Sequence, residues 1–167
     1  EGYNASGYHK FSPFQPPFAE LAARHLGERF SLCVELRNHS LSGARSEYPL
    51  TCVKKWSDDC PDLQVIAFGM NDFAVSDEAE EYLANIQKTV QIAQLASPET
   101  EFLLIASMSG NPEWDLTPAG KDTVFARKLR QIAENGGARL AYAPVNELWH
   151  ALIAGKRFLD VTGNGVN

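Results

Sequence analysis

Short, nearly continuous apolar runs alternate with longer amphipathic stretches along this sequence, and that alternation limits the folds it can adopt. The run Leu63–Phe68 is bounded by turn residues, as is typical of a strand buried on both faces of a sheet. Strands separated by helices of this length pair in parallel, so the sequence predicts an α/β fold with a doubly wound, mostly parallel sheet. The helix after this strand is predicted from apolar residues at steps of four, three, four and three: Ala79, Leu83, Ile86, Val90 and Ala93.

The remaining elements are predicted from the same periodicities. Pro17 suits the first turn of a helix that ends at Gly27, and Ser31–Leu36 is the first predicted strand. Ser76 is the expected N-cap of the long helix, because acidic residues follow it and complement the helix dipole. The other predictions are a short helix through Cys52, Val53 and Trp56, a strand at Phe102–Ala106, a helix through Phe125, Leu129 and Ile132 ending near Gly136, a strand at Arg139–Ala143, and a helix with Leu148, Trp149 and Leu152.

The charge balance narrows the class of partner. Fifteen Lys and Arg residues against twenty-one Asp and Glu residues give a net charge of -6, whereas nucleic-acid binders carry a basic surface. A small or neutral substrate is therefore the expected partner. No apolar run approaches the ~20 residues that a membrane-spanning helix needs.

The three cysteines, Cys33, Cys52 and Cys60, fit neither a disulfide framework nor a metal site. We expect free thiols, with a Cys52–Cys60 bridge as the alternative.

Three turns that follow predicted strands carry residues that are unusual in plain connections: Ser40–Ser46, Gly69–Asp72 and Ser107–Trp114. They are the candidate sites, because ligands of such sheets bind outside the carboxyl ends of the strands. Gly69 permits a sharp turn, so that Asn71 projects its amide, a neutral hydrogen-bond donor, into the crevice. Such a donor stabilises a developing alkoxide. The alternative is an ordinary turn in which Asn71 and Asp72 bond locally. Gly43 has two interpretations as well, an N–H directed at a ligand or a positive φ in a turn.

The order and spacing of these turns resemble the SGNH (GDSL-type) hydrolase family. Ser42-Gly43 resembles its second block, whose Gly donates a backbone N–H to the oxyanion, and Gly69–Asp72 resembles its third block, Gly-x-Asn-Asp, whose Asn supplies a side-chain donor. Glu1-Gly2 is similar to the residues just after the first block, and Asp160–Asn167 to the approach to the last block. The segment 111–114, Asn-Pro-Glu-Trp, is similar to members that act on acylated carbohydrates.

This resemblance implies a flavodoxin-like three-layer α/β/α fold over one domain, residues 1–167. It implies a serine ester hydrolase that removes acyl groups, such as acetyl, from a carbohydrate or another small ester, with no metal and no cofactor. Gly43 and Asn71 are the implied oxyanion-hole residues of the chain. The implied nucleophilic serine lies just before Glu1, and the implied base histidine just after Asn167.

The same resemblance identifies two departures from the family pattern. The strand that should precede the serine falls outside the chain, although its expected place in the sheet is between the strands near Val34 and Ile66. Gly165 stands where the supporting Asp is expected, so Asn164 or a backbone carbonyl orients the histidine.

Two other functions are compatible with these residues. One is a non-catalytic ligand-binding relative of the same fold, and the other is a flavodoxin-like cofactor binder, for which no phosphate-cradling loop is present in the sequence. The serines include no Gly-x-Ser-x-Gly elbow. We expect His25 and His150 each to be a surface or partly buried packing histidine and His39 to be a candidate substrate contact. His9 is expected to belong to an aromatic segment that lines a pocket or covers the sheet end. The acidic run Asp77–Glu81 is expected to be a solvated helix start.

Overall fold

A computed structural model describes residues 17–110 and 120–157 of the chain. The chain divides into two compact units, an N-terminal unit, Glu1–Ala44, and a C-terminal unit, Arg45–Asn167. The described elements are, in order, α1 (Phe18–Phe30), a 3-10 turn (Tyr48–Thr51), α2 (Val53–Ser57), β1 (Leu63–Ile66), α3 (Met70–Val75), α4 (Glu80–Ala96), β2 (Glu101–Ile105), α5 (Lys121–Asn135), β3 (Leu140–Ala143) and α6 (Val145–Ala154).

The C-terminal unit contains a three-stranded parallel sheet with the strand order β1-β2-β3. In its register Ile66 lies beside Leu104, and Leu104 lies beside Tyr142. Helices connect the consecutive strands, as is usual for the crossover connection between parallel strands. The structure therefore confirms the predicted α/β class, with β2 in the centre and β1 and β3 at the edges of the described sheet.

One face of the sheet forms the floor of the hydrophobic core. Phe102 is 1% exposed and Leu104 is fully buried, and both pack in one cluster with the apolar sides of α4 and α5. The predicted stripe of α4 is confirmed, since all of its members belong to this cluster or pack against it. The α5 prediction is confirmed too, through the buried residues Phe125, Ala126, Leu129, Ile132 and Ala133.

The prediction that Leu63–Phe68 is a strand buried on both faces is wrong in two respects. The strand ends at Ile66, and Val65, on the opposite face from Ile66, is 47% exposed. The physical reason for the exposure of Val65 is that α4 and α5 pack on the face of the sheet that carries Ile66, whereas Val65 lies on the opposite face. Ala141 of β3, which lies beside Leu103 of β2, is likewise exposed.

The predicted strand Ser31–Leu36 does not form. Residues 32–40 adopt no regular structure, and Leu32 is 62% exposed. A strand needs a hydrogen-bonded neighbour, and all three strands of the sheet in the described residues come from the C-terminal unit. The apolar alternation of this segment is therefore not sufficient without a pairing partner.

Two predicted helix boundaries are also corrected. Helix α1 continues past Gly27 to Phe30, and Ser31 ends it by adopting the left-handed conformation with φ 54°. Ser76 is not the N-cap of the long helix, because the preceding helix α3 ends there and α4 begins only at Glu80. The Ser76 hydroxyl instead accepts a hydrogen bond from the Glu78 N–H, 3.1 Å away, in the turn between the two helices.

All three cysteines are free, as expected. None of the helices in the described ranges has both the length and the apolar character needed to cross a membrane.

We predict that the core of the C-terminal unit dominates its stability. Leu129→Ala removes a side chain that is 1% exposed, so the free energy of unfolding should fall by about 3 kcal/mol. Leu95→Ala makes the same chemical change at a residue that is 78% exposed, so it should cost less than about 0.5 kcal/mol. Chemical denaturation of both variants measures the difference, and equal losses would contradict this assignment of the core.

Candidate functional site

The carboxyl end of β1 leads into a tight turn at Gly69. This residue has φ 138°, a backbone conformation that side chains disfavour, and its carbonyl accepts a hydrogen bond from Phe73 N at 2.9 Å to begin α3. A β-carbon at Gly69 would lie 3.2 Å from Ser107 Oγ. Both the backbone angle and the close approach require glycine here, which confirms the predicted sharp turn.

Two hydroxyl groups hold the strand end beside this turn. Ser107 Oγ and Tyr82 Oη each donate a hydrogen bond to the Phe68 carbonyl oxygen, and both distances are 3.1 Å. Ser107 follows β2 and Tyr82 belongs to α4, so the end of β1 is tied to both neighbouring elements. Ser107 is buried at 8% exposure and serves as a donor within the fold.

Asn71 and Asp72 occupy the first turn of α3 and have opposite environments. Asn71 is exposed at the carboxyl end of β1, whereas Asp72 is only 7% exposed. The turn thus presents an amide outward and directs a carboxylate inward. The sequence alternative in which Asp72 bonds locally is incorrect, because its hydrogen-bond partner is Ser46, twenty-six positions earlier in the chain.

Asp72 is the acceptor at the centre of a small polar network, which we call the Ser46–Asp72–Asn85 network. The Ser46 hydroxyl donates to Asp72 Oδ1 at 2.5 Å, and the Ser46 N–H donates to Oδ1 at 3.0 Å and to Oδ2 at 3.2 Å. Asn85 of α4 donates from Nδ2 to Ser46 Oγ at 3.1 Å. Ser46 is fully buried, so the network joins the start of the C-terminal unit to α3 and α4.

The environment of Asp72 raises the pKa of its carboxyl group above the usual value. Burial is the largest cause, because it disfavours the charged form. The hydrogen bonds from the Ser46 side chain and backbone oppose this shift by stabilising the carboxylate. Of the nearby charges, Glu47 raises the pKa further and Arg45 lowers it.

Gly43, the second predicted site residue, lies in the N-terminal unit, whereas Asn71 lies in the C-terminal unit. It is the third residue of a turn closed by a hydrogen bond from Ala44 N to Leu41 O at 3.1 Å, and its φ is 75°. Gly43 is exposed, and a β-carbon there would meet nothing within 4 Å. The turn therefore supports the interpretation that Gly43 supplies a positive φ, and its direction toward a ligand stays a prediction.

The described histidines include one pair that the sequence did not reveal. His150 Nε2 lies 2.9 Å from Oδ2 of Asp122, whose side chain is only 2% exposed. His150 is thus a packing histidine, as expected, but its partner lies twenty-eight positions earlier, in the first turn of α5. One signal was present, since Asp122 precedes Phe125, Leu129 and Ile132 at the spacing of their apolar stripe.

The other candidates are surface residues or lie outside the described residues. His25 is exposed and lies 3.6 Å from Glu28, and His39 is exposed as well. The acidic run is a solvated segment, because its four acidic residues are exposed. Outside the described residues lie Glu1-Gly2, His9 with most of the aromatic segment, 111–114 and Asp160–Asn167 with Asn164 and Gly165.

We predict that Asp72 makes the stability of the protein depend on pH in a defined direction. Because its pKa is raised in the folded state, the folded protein binds this proton more tightly than the unfolded chain does. The resulting stabilisation is present below the unfolded pKa, about 4, and is lost as the pH rises through the folded value. Asp72→Asn removes this titration, so its free energy of unfolding should improve relative to wild type as the pH rises.

Urea denaturation between pH 4 and pH 7 measures this difference. Asp58→Asn, at an exposed position, controls for the change in net charge. A difference between Asp72→Asn and wild type that stays constant or reverses with pH would contradict the assigned shift.

In chemical terms, the site offers an exposed neutral amide at the end of a parallel strand, held by a glycine turn and by a buried carboxylate. No group of His, Cys, Asp and Glu side chains suited to a metal ion occurs in the part of the chain that the structure describes.

Comparison of the sequence with protein-family models and with curated proteins finds no match.

Proposed function

We propose that this protein is a serine ester hydrolase of the SGNH type that removes acyl groups, such as acetyl, from a carbohydrate or another small ester. The observation that carries the proposal is the turn at Gly69, which presents Asn71 as an exposed donor at the carboxyl end of β1. Ligands of parallel α/β sheets bind at this end of the strands. The sequence of the turn, Gly-Met-Asn-Asp, supports the proposal by its resemblance to the third block of that family.

In the proposed mechanism, a serine attacks the ester carbonyl while a histidine takes its proton and later returns it to the leaving group. These two residues are the serine and histidine that the resemblance to the SGNH family implies. The Asn71 amide donates a hydrogen bond to the oxygen that becomes negative in the tetrahedral intermediate, and the resemblance implies the Gly43 N–H as a second donor. The reaction needs no metal and no cofactor.

The proposal includes the finer architecture, a flavodoxin-like three-layer fold over residues 1–167. The parallel order β1-β2-β3 with helical crossovers supports it. The exposed apolar residues Leu63 and Val65 support it as well, because they share one face of the sheet, and a three-layer fold covers that face with helices.

The second candidate is a non-catalytic ligand-binding relative of the same fold. Two contacts favour this candidate. Ser107 donates its hydroxyl hydrogen to the Phe68 carbonyl, and His150 pairs with Asp122, so both side chains serve the fold. Turnover of p-nitrophenyl acetate by the natural protein separates the two candidates. Binding of an acetylated sugar without turnover would favour the non-catalytic relative.

We predict that Asn71→Ala lowers turnover of p-nitrophenyl acetate by about 10²–10³-fold, because it removes one oxyanion donor. Stability should change little, because Asn71 is exposed. Gln91→Ala removes an exposed amide from α4 and should leave turnover unchanged. Equal turnover in Asn71→Ala and wild type would remove Asn71 from the mechanism.

A further inference from the structure

One member of the Ser46–Asp72–Asn85 network, Asp72, directly follows the proposed oxyanion donor Asn71 in the sequence. Its three members come from the start of the C-terminal unit, the first turn of α3 and the middle of α4. The hydrogen bonds all run in one direction, from Asn85 to Ser46 and from Ser46 to the carboxylate of Asp72. An ionised carboxylate, which only accepts hydrogen bonds, is the natural end of such a chain of donors.

The network also restrains the orientation of the first turn of α3. Asp72 points into the unit and Asn71, its neighbour, is exposed, so a rotation of this turn that moves the Asn71 amide also moves the Asp72 carboxylate. Such a rotation breaks the hydrogen bonds that the Ser46 hydroxyl and N–H donate to the Asp72 carboxylate. The buried Phe73 side chain anchors the same short helix to the core, and the network adds a polar restraint directly beside Asn71.

We propose that the Ser46–Asp72–Asn85 network is a proton-sensitive positioning device, which holds the Asn71 amide in place while Asp72 is ionised and loosens it when Asp72 is protonated. This inference rests on the proposed function, since Asn71 is the group whose position it controls. Asp72 and Ser46 are positioning residues here, because they act on the reaction through Asn71.

Protonation weakens the network for a simple chemical reason. Ser46 presents two donors to Asp72, and a protonated carboxyl group adds a third hydrogen with no acceptor assigned to it by the network. Burial raises the pKa of Asp72, so this change occurs at a higher pH than for an ordinary exposed aspartate.

Other charged groups surround the same position. A cavity of about 20 Å³ beside Asp72 is lined by Arg45 and Glu47 next to Ser46, by Glu78 just before α4, and by Glu81 in its first turn. From α5, Lys121 donates to the Phe73 carbonyl and pairs with Asp77. Of these charged groups, Glu47 favours proton uptake by Asp72 and Arg45 opposes it.

An NMR titration of the wild-type chain tests the coupling without any enzymatic assay. We expect the carboxyl carbon of Asp72 and the side-chain amide signals of Asn71 to shift with the same midpoint. In Ser46→Ala both midpoints should move to higher pH, because the Oγ hydrogen bond that favours the carboxylate is lost. Asn71 amide signals that stay constant through the Asp72 transition would overturn the proposal, even if Ser46→Ala does not fold.

Kinetics of the natural protein on p-nitrophenyl acetate supply the second test. Ser46→Ala should lower kcat by about 10- to 100-fold with KM changed by less than about twofold. It should also move the acid limb of the pH profile to higher pH, and Ser46→Thr, which keeps the hydroxyl group, should restore both values.

Ser57→Ala is the matched control for this experiment. Ser57 is equally buried, but its hydroxyl donates to the Val53 carbonyl at 2.9 Å and accepts from Gln64, away from Asp72. It should leave kcat and the acid limb unchanged. Equal effects of Ser46→Ala and Ser57→Ala would overturn the positioning role, whereas an inactive wild type with coupled NMR titrations would overturn only the proposed function.

Discussion

The hydrogen bonds from Ser46 to the buried carboxylate of Asp72 are the interaction on which the candidate site depends. A carboxylate removed from water is costly unless it is well paired, and here two donors from one serine satisfy Asp72 Oδ1. Asn85 extends the network from Ser46 to α4. Three segments that are far apart in the sequence therefore meet at the helix turn that carries Asn71.

In the proposed mechanism, the ionised carboxylate of Asp72 lowers the stability of the fold but positions a group that the reaction needs. Burial raises the pKa of Asp72, so the ionised form of this residue costs folding free energy relative to the protonated form. A residue selected for stability alone would be neutral at this position. In the proposed account, the cost is retained because the carboxylate orients the first turn of α3 and with it the Asn71 amide.

The second requirement is a fixed end for the strand that precedes this turn. The Phe68 carbonyl accepts two hydrogen bonds, from Ser107 and Tyr82, and the chain then turns at Gly69. Because β1 and β2 are parallel, the residues that follow them meet at the same edge of the sheet, which is how Ser107 reaches Phe68.

The elements that depend on local periodicity could be predicted from the sequence. The apolar stripes of α4 and α5 and the short run of β2 specify which residues are buried, and the structure places them in the core. The turn at Gly69 was also predictable, because its glycine is required by the local backbone.

Features that depend on a distant partner could not be predicted in this way. The segment Ser31–Leu36 alternates like a strand but has no pairing partner among the described residues, and the partners of Asp72 and His150 lie more than twenty positions away. Ser76 has the composition of an N-cap, yet the unpredicted helix α3 ends there. Local composition specifies what a residue prefers, whereas the tertiary fold decides which partner is within reach.

A crystal structure of the protein with a bound phosphonate transition-state analogue would show which groups hold the oxyanion. We predict that Asn71 Nδ2 lies about 3 Å from the phosphonate oxygen that represents the oxyanion, with the Ser46–Asp72 hydrogen bonds intact. An analogue bound with its oxygen held by other donors, and with the Asn71 amide turned away from it, would contradict the account.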